Sequence, residues 1–122
     1  MSEGTPGPTV YSRTVGDLAI IYAGDYLNKL SGERIERECR RQLDAGCRGL
    51  VINFKETELV NSIGVSILLG VIDAASYVGA RLVFSDVNDH TSKLFEMLGL
   101  TRHVSLVGDE TTALGSLEAV GS

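Results

Sequence analysis

Leu50-Val51-Ile52-Asn53-Phe54 and, after a short polar connection, Glu58-Leu59-Val60-Asn61-Ser62-Ile63-Gly64-Val65-Ser66-Ile67-Leu68-Leu69-Gly70 make up the stretch on which the fold turns. The first run is almost continuously apolar, which suits a strand covered on both faces. The second begins with small polar side chains whose oxygens can accept hydrogen bonds from the free N–H groups of a new helix. It then stays apolar long enough to predict a helix from about Ser62 to Tyr77. A serine at such a junction has its hydroxyl at the positive end of a helix dipole, where a phosphate can be carried.

Toward the C-terminus, Gly79 stops that helix and Arg81-Leu82-Val83-Phe84-Ser85 reads as the next strand. Asn88 or Asp89 can cap a third helix with Leu94, Phe95, Met97 and Leu98 on its apolar side and Gly99 as its break. Val104 to Val107 is a last strand, and Asp109 caps a final helix with Ala113, Leu114 and Leu117 turned inward. Toward the N-terminus, Gly46 ends a helix expected from a Ser31 N-cap to about Ala45, with Ile35, Cys39 and Leu43 as its buried stripe. Gly24 to Asn28 reads as a loop. Before it, Thr9 to Val15 and Leu18 to Ala23 flank Gly16-Asp17, a hairpin signal. The order is therefore ββαβαβαβα. It predicts an α/β fold with a mixed, mostly parallel sheet, right-handed crossovers and an antiparallel N-terminal hairpin. One domain is expected over residues 9–119, between a loose tail at 1–8 and a loose end at 120–122.

The 122 residues carry a net charge of -5 and are 43% hydrophobic, enough for one core. An acidic balance argues against a nucleic-acid binder, which normally presents a basic face. Arg34, Arg37, Arg40 and Arg41 are interleaved with acids, Glu33 before Arg37 and Glu36 before Arg40, so they read as a solvated helix face. The longest apolar run, Ile67 to Ile72, falls far short of the roughly 20 residues that span a bilayer, and no membrane insertion is expected. Cys39 and Cys47 lack CxxC spacing and point to a reducing compartment, the cytoplasm, with Cys39 in the core. Partners are expected to be proteins.

Neither GxGxxG nor GxxxxGK[ST] occurs. His90 and His103 have no partners at metal-ligand spacing, so neither a metal nor another cofactor is expected. Ser62 lacks the glycine-flanked elbow of a hydrolase nucleophile. The end of the central strand holds Asn53, Phe54 and Lys55 where a phosphate-accepting aspartate would stand. Two readings of Ser62 remain: a helix cap worth about 1 kcal/mol, or an exposed regulatory hydroxyl. Ser66, one turn further, reads as merely tolerated. Gly64, a poor helix former in a first turn, implies either close approach by a partner's backbone or close helix–sheet packing.

The strand order, the Asn61-Ser62-Ile63-Gly64 turn, Gly79-Ala80-Arg81-Leu82-Val83-Phe84 and Lys93-Leu94-Phe95-Glu96-Met97-Leu98-Gly99-Leu100 together resemble a STAS domain, the family of bacterial anti-sigma factor antagonists. The similarity runs from about Val10 to Leu117. In that family the turn usually reads Asp-Ser-[Ser/Thr]-Gly, and a partner that is both kinase and anti-sigma factor phosphorylates the serine after the Asp. Carried over position by position, the resemblance puts that serine at Ser62 and the glycine at Gly64, with Asn61 in the Asp position and Ile63 where a hydroxyl residue is common. A second family turn, Gly-x-hydrophobic-Asp, is similar to Gly24-Asp25-Tyr26-Leu27-Asn28, with one extra residue and Asn28 in place of the Asp.

The resemblance implies a non-enzymatic switch whose partner-binding residues are Asn28, Asn61, Ser62, Ile63 and Gly64. The unmodified chain would bind an anti-sigma factor serine kinase, phosphorylation of Ser62 would release it, and a serine phosphatase would be a further partner. Two alternatives stand beside it. A non-phosphorylated scaffold or adaptor subunit of a signalling or transport assembly keeps the fold and is motivated by Asn61. A small nucleotide-binding protein or enzyme would use the crevice at the carboxyl ends of the parallel strands.

Overall fold

A computed structural model of the chain describes residues 9–121, of which 119–121 are described by their backbone alone. The expected tail at 1–8 lies outside them, as does Ser122. The strands are β1 (Tyr11–Val15), β2 (Leu18–Tyr22), β3 (Tyr26–Leu27), β4 (Gly49–Asn53), β5 (Leu59–Val60), β6 (Arg81–Ser85) and β7 (Ser105–Val107). The helices are α1 (Lys29–Asp44), α2 (Ser62–Tyr77), α3 (Asp89–Met97) and α4 (Glu110–Gly121), with a 3-10 turn at Leu100–Arg102.

β1 and β2 form the expected hairpin around Gly16, whose φ of +62° is the left-handed conformation a tight turn needs. β4 lies parallel to β2, β6 to β4 and β7 to β6, so the sheet order is β1-β2-β4-β6-β7. β4 is buried at all five of its positions. One of its faces packs under α1, α2 and α3, where Ile52 and Phe84 meet Ile35, Leu68 and Phe95. The other packs under α4, where Val51 and Val83 meet Ala113 and Leu117. Continuous apolar patterning in the central strands therefore reflects helices on both sides of the sheet.

Several expectations need correction. Gly24 to Asn28 is not all loop: Tyr26–Leu27 pairs in parallel with Leu59–Val60 as a separate two-stranded sheet. Segments this short carry no readable period, and they pair because each lies between a main-sheet strand and its helix. Ser31 is not the cap of α1. That place belongs to Asn28, whose side chain accepts from Ser31 N–H (2.9 Å), while Ser31 Oγ accepts from Asn28 N–H (2.9 Å). Met97 and Leu98 face solvent, 81% and 46% exposed. The inner side of α3 is Thr91 and Phe95, four residues apart, and Met97 falls on the opposite side. Glu36 pairs with Arg40 at 3.2 Å, but among the described residues Arg41 takes Glu38, and the Glu33–Arg37 pair is not formed.

Candidate functional site

Each parallel strand hands the chain to its helix at one edge of the sheet, so the first turns of the helices gather there. β3 leads into α1 and β5 into α2, and because β3 and β5 are register partners the two helices start side by side. They also run in contact: a Cβ on Gly32 of α1 would lie 3.1 Å from Ile67 Cδ1 of α2.

Asn61 caps α2, its side-chain oxygen accepting from Gly64 N–H at 2.9 Å. The departure from Asp at this position leaves the capping acceptor in place. The four donors that a helix start leaves without intrahelical partners divide evenly here. Asn61 N–H goes to the Leu27 carbonyl (2.9 Å) and Gly64 N–H to the Asn61 side chain. Ser62 N–H and Ile63 N–H have no acceptor among the described residues. Ser62 itself is exposed, in the first helical position rather than at the cap. Its hydroxyl therefore stands in solvent beside two unsatisfied N–H groups at the positive end of a helix.

Gly64 is buried, and close packing within the chain accounts for it. A Cβ there would come within 2.9 Å of the Leu27 carbonyl carbon and oxygen and of Leu27 Cγ, so α2 can start this close to β3 only with glycine. Ile63 is the opposite case, 54% exposed. Asn28, half-buried, is spent on the α1 cap, and Ser66 is exposed one turn beyond Ser62.

The sequence reading missed the exposed apolar side chains on β3, β5 and the first turn of α1. Tyr26 (39% exposed) and Leu59 (62%) are direct register partners, and Leu30 (60%) sits in the first turn of α1. The Tyr26 hydroxyl also lies 3.5 Å from Asn61 Nδ2. No sequence signal could have found them, because two-residue strands carry no readable period; the fold alone turns Tyr26 and Leu59 outward, Leu27 inward and Val60 partly inward.

The other missed group is a clasp at the same edge on the α4 side. Glu110 Oε1 accepts from the Tyr22 hydroxyl (2.8 Å) and Asn53 Nδ2 (3.0 Å), and Oε2 accepts from Arg13 Nη2 (2.7 Å). Burial pushes the Glu110 carboxyl up, but the bonds from Tyr22, Arg13 and Asn53 outweigh it and hold the group below the usual glutamate value. The clasp borders the crevice at the carboxyl ends of β2 and β4, a cavity of about 260 Å³ lined by Tyr22, Asn53, Lys55 and Glu110. A larger hollow of about 630 Å³, lined by Asp17, Cys47, Arg48 and Arg81, lies at the opposite edge, away from Ser62. His90 and His103 are both exposed, and no cluster of three potential metal ligands occurs among the described residues. Cys39 is buried, its thiol pushed up to about 12 by that burial. No helix among the described residues is long and apolar enough to cross a membrane.

Comparison with known proteins decides the family. The family model for the STAS domain matches residues 11–113. This chain belongs to the STAS domain family. A curated relative, the anti-sigma F factor antagonist of Paenibacillus polymyxa, is 27% identical over 107 residues, covering 81% of this chain and 92% of its own. Among solved structures, the anti-sigma factor antagonist SpoIIAA in its unphosphorylated form superimposes with a TM-score of 0.71 at 16% identity, over 93% of this chain and 99% of that one. SpoIIAA of Bacillus in the phosphorylated form gives 0.67 at 19%, over 85% and 96%. A serine-to-glutamate variant of RsbS from Moorella thermoacetica gives 0.80 at 18%, over 92% and 97%. At these identities the structures establish the shared STAS fold. The Paenibacillus polymyxa relative and SpoIIAA are named as anti-sigma factor antagonists.

Proposed function

We propose that this STAS domain is a cytoplasmic anti-sigma factor antagonist that works by binding and catalyses no reaction. In its unmodified form it binds an anti-sigma factor that is also a serine kinase, which frees a sigma factor. The kinase then transfers the terminal phosphoryl group of ATP to Ser62 Oγ. The serine proton leaves, ADP is released, and the complex dissociates. A serine phosphatase returns the chain to its binding form by hydrolysing the phosphoserine.

The observation that carries this reading is the exposed Ser62 hydroxyl at the start of α2, beside the free N–H groups of Ser62 and Ile63. A phosphate there is favoured by the helix end and need not unfold the helix. It adds about -1.5 to -2 charges to a surface that matches its partner when neutral. A few kcal/mol lost in that contact corresponds to about 100-fold or more in affinity. Asn61 supports the same reading, because its oxygen caps Gly64 N–H without occupying Ser62. Ile63 faces the partner directly, while Asn28, Asn61 and Gly64 contribute by holding the two helix starts at the right height.

The test compares the binding of purified wild type, Ser62→Ala and Ser62→Asp to the cognate kinase with ATP present. Ser62→Ala should stay bound, wild type should dissociate with phosphate mapped to Ser62 by mass spectrometry, and Ser62→Asp should bind poorly throughout. Equal affinity of the two variants, or phosphate on another residue, refutes the switch.

A further inference from the structure

We propose a second binding site, for a small phosphomonoester with a hydroxylated body such as a sugar phosphate, at the edge of the sheet opposite Ser62. There a hollow of about 450 Å³ lies between the last turns of α2, the start of β6 and the 3-10 turn that leads into β7. Arg81, Arg102 and His103 line it together with the hydroxyl residues Ser76, Thr101 and Ser105. The chain as a whole carries a net charge of -5, so a hollow walled by two arginines runs against its general balance. One carboxylate, Asp73, shares the wall and leaves the guanidiniums in excess.

The fold does not account for these two arginines. At neighbouring strand ends Arg13 is paired with Glu110 and Arg48 with Asp17, but Arg81 and Arg102 form no ion pair among the described residues, not even with Asp73. Nor does the end of α2 need them, because the N–H groups of Gly79 and Ala80 already bond to the Ser76 and Ala75 carbonyls (3.0 and 2.9 Å). β6 and β7 pair with Val83 opposite Ser105, which carries Arg81 and the end of the 3-10 turn to one place. Like charges gathered there repel, and a local rule broken without gain to the fold marks a functional position. A phosphomonoester is largely a dianion at neutral pH, and guanidinium donors match its oxygens in pairs. The hollow falls in the range of about 300–1,000 Å³ usual for small-molecule sites, more than a phosphate alone fills. Hydroxyls that both donate and accept suit a polyol body in the remaining space.

The site lies away from the start of α2, so a ligand in it leaves Ser62 open. It therefore does not depend on the switch.

The experiment follows the backbone amide NMR signals of the isotope-labelled chain while glucose-6-phosphate, inorganic phosphate or glucose is added. Wild type, Arg81→Gln, Arg102→Gln and Ser62→Ala are compared. Glucose-6-phosphate should give saturable shifts around Ser76, Arg81 and Thr101 to Ser105 in wild type and in Ser62→Ala alike. Inorganic phosphate should move the same signals more weakly, and glucose should leave them in place. Each glutamine variant should bind glucose-6-phosphate about tenfold or more weakly. Without ligand its melting temperature should be no lower than that of wild type, because a repulsion has been removed. The proposal is overturned by the absence of saturable shifts at these residues, by shifts centred on Ser62 and Ile63 instead, or by equal shifts with glucose. It is also overturned if both glutamine variants bind within about twofold of wild type, or if both melt lower without ligand, which would assign the arginines to the fold. Since Ser62→Ala keeps this site, its failure leaves the proposed switch standing, and failure of the switch leaves this site.

Discussion

Asn61 and Gly64 set the height and angle at which Ser62 is offered, each by a different force. Asn61 satisfies one N–H through a neutral oxygen, and Asn61→Asp keeps that acceptor while placing a negative charge at the positive end of α2. That change is expected to stabilise the fold by about 0.3–1 kcal/mol, whereas Asn61→Ala should cost about 1 kcal/mol. Urea unfolding at neutral pH and low salt measures both, and an Asp variant no more stable than wild type would show that the dipole is screened at this half-buried site. Gly64→Ala puts a methyl group 2.9 Å from the Leu27 backbone, which cannot swing aside as a side-chain tip could. A loss of about 1–3 kcal/mol is expected, read as a lower urea midpoint at constant slope. The need for a cap could be seen in the run of small polar residues at 61 and 62. The reason for Gly64 could not, because the atom it avoids lies 37 positions away in sequence, at residue 27.

Among the elements, α4 is the one whose hold on the sheet depends on protonation. The Glu110 carboxyl lies below its ordinary value in the folded chain, so it contributes stability that is present above the unfolded value of about 4.3. That contribution fades as pH falls through the lower folded value. Glu110→Gln should therefore be less stable than wild type at pH 7, and the gap should narrow as both are unfolded at successively lower pH below about 4.3. A gap independent of pH would mean that shape, not charge, fixes the clasp. Glu38 is also depressed, by Arg41 and Ser12, but it is present in both proteins and cancels from the difference. The helices themselves were legible: α2 begins and ends where its polar start and its stop at Gly79 place it, and Asn88 and Asp109 cap α3 and α4 as their positions imply. α1 was displaced at its start, because Asn28 and Ser31 both suit a cap and only the turn out of β3 decides between them.

Across the whole molecule, Phe54, Phe84 and Phe95 tie the central strands to α3, their ring centroids 5.1, 5.4 and 5.6 Å apart and their planes inclined at 63 to 69°. Phe95→Ala should cost about 3–5 kcal/mol, a large part of the 5–15 kcal/mol that holds a typical domain folded. Thermal unfolding checks it, and a loss below about 1 kcal/mol would mean that α3 collapses into the space left behind. Hydrophobic period, helix caps and chain breaks act over a few neighbouring residues, which is why the sequence by itself determined the order of the main strands and helices, the parallel sheet with its antiparallel hairpin, and the serine at the start of α2. Whether that serine is open or covered depends on what the rest of the chain brings to the same edge. The pairing of Tyr26–Leu27 with Leu59–Val60 and the reach of Arg13 to Glu110 join residues distant in sequence, and no local preference encodes them. Tertiary structure alone decided those, because burial and contact depend on the packing of the complete chain.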